Sequence, residues 1–271
     1  MRSIAALRTL FTVALLSVSA FAGIQTKTLE YEHAGTKLVG FLAWDDAKAT
    51  EKTPQPGVVV CPEWWGNNDY SHERATKLAE LGYVALAIDV YGGGKTTKDP
   101  KEAQAWSGEL YGNAELGRGR VRAGYDALLR QPQVDKTRIA AIGYCMGGTV
   151  ALELARTGVE LRSVVAFHAG KLTSLGKPED NAKITAMVTV CHGQDDGFVA
   201  PEEISGFHAQ MKAAKVAYQF LSYSGAVHGF TNKSADSYGI PGLKYDATAD
   251  ALSWEHMKAA FALAFAKVAK R

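Results

Sequence analysis

Short apolar runs alternate with longer amphipathic segments along most of the chain. The apolar runs are rich in Val, Ala and Ile, which is typical of parallel strands buried on both faces of a sheet. Six such strands are predicted, at Gly57–Cys61, Val84–Val90, Ile139–Tyr144, Ser163–Phe167, Ile184–His192 and Tyr218–Tyr223. Two earlier segments, Gln25–Glu32 and Lys37–Trp44, alternate apolar and polar residues and form a separate first pair.

Helical segments lie between these strands, at Ser71–Leu81, Lys101–Leu129, Gly148–Arg156, Pro201–Lys215 and Ala247–Lys270. The alternation of strands and helices predicts right-handed crossovers on a mostly parallel sheet with helices on both faces. The chain has no internal repeat and no low-complexity linker, so we predict a single α/β domain. Ligands of such sheets bind beyond the carboxyl ends of the strands, and candidate functional residues should therefore follow the strands.

The first 22 residues differ from the rest of the chain. Two arginines precede an apolar stretch over residues 10–20, and Ala20-Phe21-Ala22 has the small-x-small pattern that a signal peptidase cleaves. The alternative is an uncleaved membrane anchor, but hydroxyl residues interrupt the apolar stretch, which is short for a membrane span of about 20 residues. We therefore predict a cleaved signal peptide over residues 1–22, a mature domain over residues 23–271, and a soluble periplasmic or secreted protein with no membrane attachment after cleavage.

Composition excludes several classes of protein. The chain has 30 basic and 28 acidic side chains, a formal charge of +2, and the two arginines of the first segment account for that excess. A neutral mature chain without a Lys/Arg block lacks the positive surface that nucleic-acid binding requires. A hydrophobic fraction of 47% and a charged fraction of 21% exclude a disordered or fibrous chain. Arg118, Arg120 and Arg122 alternate along a predicted helix and are interpreted as a solvated face.

The three cysteines have different settings. Because their number is odd, at least one thiol stays unpaired even in an oxidising compartment. Cys61 and Cys191 each end an apolar strand and are expected to be buried, and a bridge between them remains open. Cys145 instead lies in Gly143-Tyr144-Cys145-Met146-Gly147-Gly148, between a predicted strand and a predicted helix.

This setting matches the G-x-S-x-G nucleophile elbow, with Cys in place of Ser. The glycines have a steric reason, because side chains flanking the strained turn would clash with the strand and the helix. The alternative is a glycine-rich turn that carries an inert cysteine. Asp196 follows a strand in His192-Gly193-Gln194-Asp195-Asp196, and His228 follows the last strand, so the chain order of nucleophile, acid and base is that of an α/β-hydrolase.

These residue types suit acyl transfer to a thiol. A free thiol with a pKa of about 8.5 is only partly ionised near neutrality, and an adjacent imidazole can take its proton. His228 is the predicted base, and a carboxylate behind it would fix the imidazole tautomer. Asp196 lies four residues after His192 and is preferred for that role over Asp195, which would then be a solvated loop residue.

Cys145 in GYCMGG, Glu63 in CPEWWG, Asp196 in HGQDDGFV and His228 before Gly229-Phe230 together resemble the dienelactone hydrolase family. The resemblance covers essentially the whole mature chain and implies an α/β-hydrolase fold. It also implies that Glu63 contacts the resting thiol and helps to deprotonate it, although a glutamate after a strand is also an ordinary loop or capping residue. The implied oxyanion hole consists of the backbone N–H groups of Trp64 and Met146.

The resemblance implies hydrolysis of a small ester or lactone without a metal or organic cofactor. Family members hold a substrate carboxylate with two arginines, and neither arginine is present in this sequence. The corresponding segments are Asp89-Val90-Tyr91-Gly92-Gly93-Gly94 and Thr231-Asn232-Lys233. The reaction type is therefore better supported than any one substrate. Tyr91, Trp65 and His168 are weak candidates for the pocket, with core packing or a structural histidine as the alternative.

Two rival hypotheses concern the class of function. A non-catalytic α/β-hydrolase scaffold would bind a small ligand or a protein partner, since a fold does not establish a function. The complete set of Cys145, Asp196, His228 and Glu63 favours the enzyme instead. A thiol redox protein is disfavoured, because no resolving cysteine lies near Cys145 in the sequence. The sequence does not distinguish a monomer from a dimer.

Overall fold

The computed structural model of the protein describes residues 23–266. The predicted signal peptide, residues 1–22, lies outside the described residues, as do the last four residues of the predicted terminal helix. The described residues form one eight-stranded sheet in the order β1-β2-β4-β3-β5-β6-β7-β8. The strands are β1 (Ile24–His33), β2 (Thr36–Asp45), β3 (Gln55–Cys61), β4 (Val84–Ala87), β5 (Val134–Tyr144), β6 (Ser163–Phe167), β7 (Met187–Gly193) and β8 (Tyr218–Tyr223).

The last six strands in this order, from β4 to β8, form five parallel pairs. Strand β2 is antiparallel to both of its neighbours, β1 and β4. The helices are α1 (Asp69–Glu80), α2 (Pro100–Gly112), α3 (Ala114–Leu129), α4 (Met146–Arg156), α5 (Pro201–Ala213) and α6 (Ala247–Ala266), with short 3₁₀ turns at Pro178–Lys183 and Ala235–Tyr238. The single-domain α/β fold with a mostly parallel sheet is therefore confirmed. No helix within residues 23–266 combines the length and the apolar character needed to cross a membrane.

The core lies in two layers, one on each face of the sheet. Val59 packs into the layer formed with α2 to α5, whereas its neighbours Val58 and Val60 pack into the layer formed with α1 and α6. All three valines are fully buried. This burial on both faces explains why the central strands read as continuous apolar runs rather than as alternating ones.

The predicted helix Lys101–Leu129 is wrong as one element, because it divides into α2 and α3 at Asn113. The backbone of Asn113 leaves the helical region, with φ −137° and ψ 85°, and its side chain accepts a hydrogen bond from the Leu116 N–H at 3.1 Å. Asparagine is a favoured N-cap residue because its short side chain satisfies an otherwise unpaired N–H of the first turn. The helical periodicity continues across the break and does not reveal it.

The interpretation of the arginines of α3 as a solvated face is wrong for two of the three. Arg118 is buried and forms a 2.7 Å ion pair with the buried Glu153. Arg120 is also buried, and its Nη1 donates to the carbonyl oxygen of Tyr91 at 3.3 Å. Only Arg122 of the three remains about half exposed. Arginine is well suited to these buried positions because its planar group satisfies several acceptors at once.

The three cysteines are all free. Cys61 on β3 and Cys191 on β7 are both buried, as predicted. Two strands, β5 and β6, separate them, so their backbones lie about 14 Å apart at a strand spacing of about 4.8 Å. Disulfide geometry requires Cα atoms within about 7 Å, and the bridge left open by the sequence is therefore not formed.

Candidate active site

Cys145 lies at the sharp turn between β5 and α4, with φ 55° and ψ −121°. This backbone conformation is uncommon for a residue with a side chain and requires support from its surroundings. A Cβ atom on Gly143 would overlap the carbonyl oxygen of Gly147, and one on Gly147 would overlap the carbonyl oxygen of Cys61. The flanking glycines therefore let the turn pack directly against β3 and α4, in agreement with their predicted steric role.

The two predicted oxyanion donors lie on either side of this turn. Met146 is the first residue of α4. Trp64 lies in the loop after β3, the strand next to β5 in the sheet. Among the hydrogen bonds of residues 23–266, none has the backbone N–H of Trp64 or of Met146 as its donor. Both N–H groups are therefore available to a ligand atom beside Cys145, and the helix N-terminus favours negative charge there.

Tyr91 contacts both residues that carry the predicted oxyanion donors. Its hydroxyl donates to the carbonyl oxygen of Trp64 at 3.0 Å and lies 3.1 Å from the Met146 sulfur. The buried Asp89 holds the turn that carries Tyr91, because its carboxylate accepts the Tyr91 and Gly92 N–H groups at 2.8 Å each. Tyr91 thus lies in the wall of the site, with its hydroxyl engaged by protein atoms.

The imidazole and its carboxylate lie on the two loops that follow β7 and β8. Nδ1 of His228 lies 2.8 Å from Oδ2 of Asp196, and both side chains are buried. The other oxygen of Asp196 accepts the Phe198 N–H at 2.9 Å, which fixes the carboxylate plane. Asp195 is exposed to solvent. Asp196 rather than Asp195 is therefore the carboxylate that contacts His228.

Cys145 affects the protonation of His228 from the other side of the ring. Burial lowers the pKa of His228, but the negative charges of Cys145 and Asp196 and the hydrogen bond to Asp196 outweigh it and raise this pKa to about 10. The hydrogen bonds of the described residues include none between His228 and Cys145. The imidazole therefore holds a proton near neutrality. A side chain that can hold the thiol proton in this way is what a nucleophilic cysteine requires.

Glu63 follows β3 and is buried beside the imidazole. Its Oε2 accepts a 2.7 Å hydrogen bond from the side-chain amide of Asn232. Burial raises the pKa of Glu63 to about 7, although Asn232 and the positive charge of His228 oppose this shift. The hydrogen bonds of the described residues include none between Glu63 and Cys145. The structure thus brings the carboxylate to Asn232, and the thiol contact implied by the family resemblance is absent from the described contacts.

The raised pKa of Glu63 predicts a stability effect with a definite sign. Because the folded pKa lies above the ordinary value of 4.5, Glu63 favours the folded state below pH 4.5 and loses that contribution as the pH rises to about 7. We expect Glu63→Gln to be more stable than the wild type at pH 8, by about 3 kcal/mol. Urea unfolding at several pH values measures the difference, which should vanish towards pH 4.5.

Glu203→Gln is the matched control for this experiment. Burial opposes ionisation of Glu203, but hydrogen bonds from Thr173 and Leu172 lower its pKa below the usual value. The sign is therefore reversed, and Glu203→Gln should lose stability relative to the wild type at pH 8. A Glu63→Gln protein that is less stable than the wild type at every pH would contradict a raised pKa of Glu63 in the folded state.

The pocket candidate Trp65 and two other aromatic side chains near the site, Trp106 and Phe198, have contrasting positions. Trp65 is only 1% exposed, and its ring stacks on Tyr238 at 4.2 Å between centroids, so it lies in the core behind the site. Trp106 is partly exposed and packs edge-on against Tyr91 at 5.3 Å. Phe198 is 51% exposed and lies edge-on to His228, with 5.1 Å between ring centroids. Aromatic side chains therefore lie against His228 and against Tyr91.

Sequence reasoning did not single out three polar residues close to the site. They are Tyr70, Thr231 and Asn232, and all three lie within hydrogen-bonding networks that reach Glu63 or His168. Thr231 and Asn232 were considered only because an arginine is absent there. Their position within four residues of His228 was the one available signal.

The fold, the elbow at Cys145 and the carboxylate and imidazole on the loops after β7 and β8 are those of an α/β-hydrolase. A family model described as the dienelactone hydrolase family matches residues 45–265. The chain belongs to the dienelactone hydrolase family, which confirms the resemblance seen in the sequence. Membership identifies it as an enzyme of the ester and lactone hydrolase class.

Within residues 23–266, no cluster of three or more His, Cys, Asp or Glu side chains could hold a metal ion.

Individual relatives agree with this membership. The solved structure of a dienelactone hydrolase-like promiscuous phosphotriesterase from metagenomic libraries is 41% identical, with a TM-score of 0.84 over 89% of this chain and 98% of that chain. The carboxymethylenebutenolidase of Pseudomonas putida is 28% identical over 69% of this chain and 80% of its own length. An uncharacterized protein of Caenorhabditis elegans is 35% identical over 53% of this chain and 93% of its own length.

Proposed function

We propose that the protein is a cysteine-dependent hydrolase of small, uncharged esters or lactones. Cys145 is the nucleophile, His228 the general base and acid, and Asp196 the carboxylate that orients the imidazole. The observation that carries this proposal is the 2.8 Å contact between His228 and Asp196 beside a cysteine held at an elbow. The negative charge of Cys145 also helps to raise the pKa of this imidazole, which supports a site in which the two side chains act together.

The first half-reaction is acyl transfer to the thiolate. Cys145 Sγ attacks the ester or lactone carbonyl carbon, and the negative charge that develops on the carbonyl oxygen is stabilised by the N–H groups of Trp64 and Met146. Donors arranged in advance in this way are each worth about 10²–10³ in rate. The C–O bond breaks, and the departing alkoxide or enolate takes a proton from His228.

The second half-reaction restores the thiol. Nε2 of His228 takes a proton from a water molecule, and the resulting hydroxide attacks the thioester carbonyl. The C–S bond breaks, the acid product forms, and the thiolate and the imidazolium are regenerated. Asp196 keeps the proton on Nδ1 throughout, so that Nε2 remains the reacting nitrogen.

Electrostatics support an uncharged substrate. Lys233 is exposed, and Lys95 lies 4.9 Å above the ring of Trp106. Arg74 is buried and engaged by Asp250 and by the carbonyl oxygen of Thr231. An ammonium on a flexible side chain does not reproduce a bidentate guanidinium clamp. Among residues 23–266, a substrate carboxylate therefore has no preformed partner of that kind at the site, whereas the aromatic side chains there favour an apolar acyl or leaving group.

We also propose export of the enzyme. The support is the pattern of residues 1–22, with two arginines, an apolar stretch and Ala20-Phe21-Ala22 at its end. An exported enzyme would act on small esters or lactones outside the cytoplasm.

Trapping of an acyl-enzyme tests the proposed reaction. The protein is mixed with activated esters, enol-lactones and thioesters of small acids, and the quenched reaction is digested and weighed by mass spectrometry. We expect an acyl mass on the peptide that contains Cys145, and a burst of leaving group equal to the enzyme concentration. A phosphotriester is added to the panel because the relative at 41% identity is a promiscuous phosphotriesterase. Binding of panel compounds without any turnover would favour the non-catalytic scaffold.

A further inference from the structure

His168 follows β6 in an unusual backbone conformation. The side chain is fully buried, and its φ of 38° lies in the left-handed region. For a residue with a Cβ atom this region costs about 1–2 kcal/mol and persists only when surrounding contacts determine it. The contacts of His168 therefore identify what the strained conformation achieves.

Both ring nitrogens of His168 have fixed partners. Nδ1 accepts the backbone N–H of Cys145 at 3.0 Å, which requires a neutral ring with its proton on Nε2. The carbonyl oxygen of Phe167 shares this N–H, also at 3.0 Å. Nε2 then donates to Oγ1 of Thr231 at 2.7 Å, and this hydroxyl lies 2.6 Å from the hydroxyl of Tyr70. The three side chains form a continuous hydrogen-bonded network that ends on the backbone of Cys145.

The same ring contacts the imidazole on the other side of the site. His168 lies edge-on to His228 with 5.3 Å between ring centroids, and Phe230 packs against it at 5.1 Å. Burial and the positive charges of His228 and Arg74 keep the pKa of His168 well below its usual value. The ring therefore stays neutral while His228 is protonated, and it avoids placing two positive charges side by side.

We propose that His168 is a positioning residue: its hydrogen bonds fix the backbone of Cys145, and its edge-on packing fixes the ring plane of His228. This inference rests on the proposed function. The N–H of Cys145 immediately precedes that of Met146, so a shift of the first displaces a predicted oxyanion donor as well as the sulfur. Loss of His168 should therefore slow the chemical step more than it weakens substrate binding.

Asparagine and glutamine separate the two nitrogens of His168. The amide oxygen of His168→Asn can replace Nδ1 as the acceptor of the Cys145 N–H, and asparagine tolerates the left-handed conformation. The amide of His168→Gln reaches the place of Nε2 and replaces the bond to Thr231 instead. His168→Phe keeps the ring but removes both bonds.

We expect His168→Phe to lower kcat about 10²-fold, with KM changed less than about twofold. His168→Asn should recover most of this loss, and His168→Gln should recover little. Thr231→Val, which keeps the Cys145 bond and frees Nε2, should give an intermediate loss and replaces His168→Phe if that variant does not fold. The matched control is His208→Asn, which should keep the kcat of the wild type. Nδ1 of His208, on α5, also contacts a hydroxyl, that of Tyr218, at 3.0 Å.

The rate of Cys145 alkylation by iodoacetamide is the second measurement, because it does not depend on any substrate. It should fall in His168→Phe and recover in His168→Asn. Equal losses in the Asn and Phe variants, or a rise in KM with kcat unchanged, would overturn the positioning role. If the wild type shows no turnover that depends on Cys145, the proposed function fails, and the alkylation rates still decide the role of His168.

Discussion

Replacing Cys145 with alanine is expected to abolish ester and lactone hydrolysis, with kcat reduced at least about 10⁴-fold. Alanine fits the elbow, since it keeps the Cβ atom and removes only the sulfur. The structure around the turn should therefore persist, and the loss should reflect the missing nucleophile. Steady-state kinetics on the best panel substrate, together with thermal unfolding of the same preparation, measures both quantities.

Cys191→Ala is the matched control for Cys145→Ala. Cys191 is buried in β7, and its sulfur contacts the Tyr223 hydroxyl at 3.5 Å. The control therefore removes the same group, a thiol, from another position in the same sheet. We expect a modest loss of stability and unchanged kcat. Turnover by Cys145→Ala within tenfold of the wild type would exclude the thioester mechanism and leave direct attack by water as the explanation.

Asp196→Asn is expected to lower kcat about 10³–10⁴-fold with little change in KM. The carboxylate accepts the proton of His228 Nδ1 at 2.8 Å and helps to raise the pKa of that imidazole. An asparagine that donates to Nδ1 would favour the wrong tautomer, in which Nε2 carries the proton and cannot act as a base. The pH dependence of kcat should shift together with the loss.

Asp195→Asn provides a control one residue away. Asp195 is exposed and its backbone N–H donates to the carbonyl oxygen of Ala226 at 3.0 Å, a bond that the substitution leaves intact. The activity of Asp195→Asn should stay within about twofold of the wild type. Equal losses in both variants would mean that the whole loop, rather than the Asp196 carboxylate, supports the imidazole.

The strands and the order of the candidate residues could be predicted because their signals are local. Ser163–Phe167 and Tyr218–Tyr223 have the same bounds in the sequence prediction and in the structure, since each is a short strand with clear ends. The choice of Asp196 over Asp195 came from its spacing from His192, and the contact with His228 agrees with that choice. Each of these inferences needed only a few neighbouring residues.

Other features depend on partners far along the chain, and the sequence does not reveal them. The burial of Arg118 follows from Glu153 on α4, 35 residues away. The bond between Asn232 and Glu63 spans 169 residues, and the contact of His168 with the Cys145 N–H spans 23. Single charges and histidines have the same appearance in a sequence whether they face solvent or a distant buried acceptor.

The burial of Cys61 and Cys191 in the middle of the sheet has a consequence for experiments on the whole molecule. Both side chains are fully buried, whereas Cys145 is partly exposed, so a thiol reagent should modify Cys145 first in the native protein. Modification of the other two requires β3 and β7 to open. Their labelling rates under native conditions would therefore report the free energy of that opening, without denaturant and independently of any substrate.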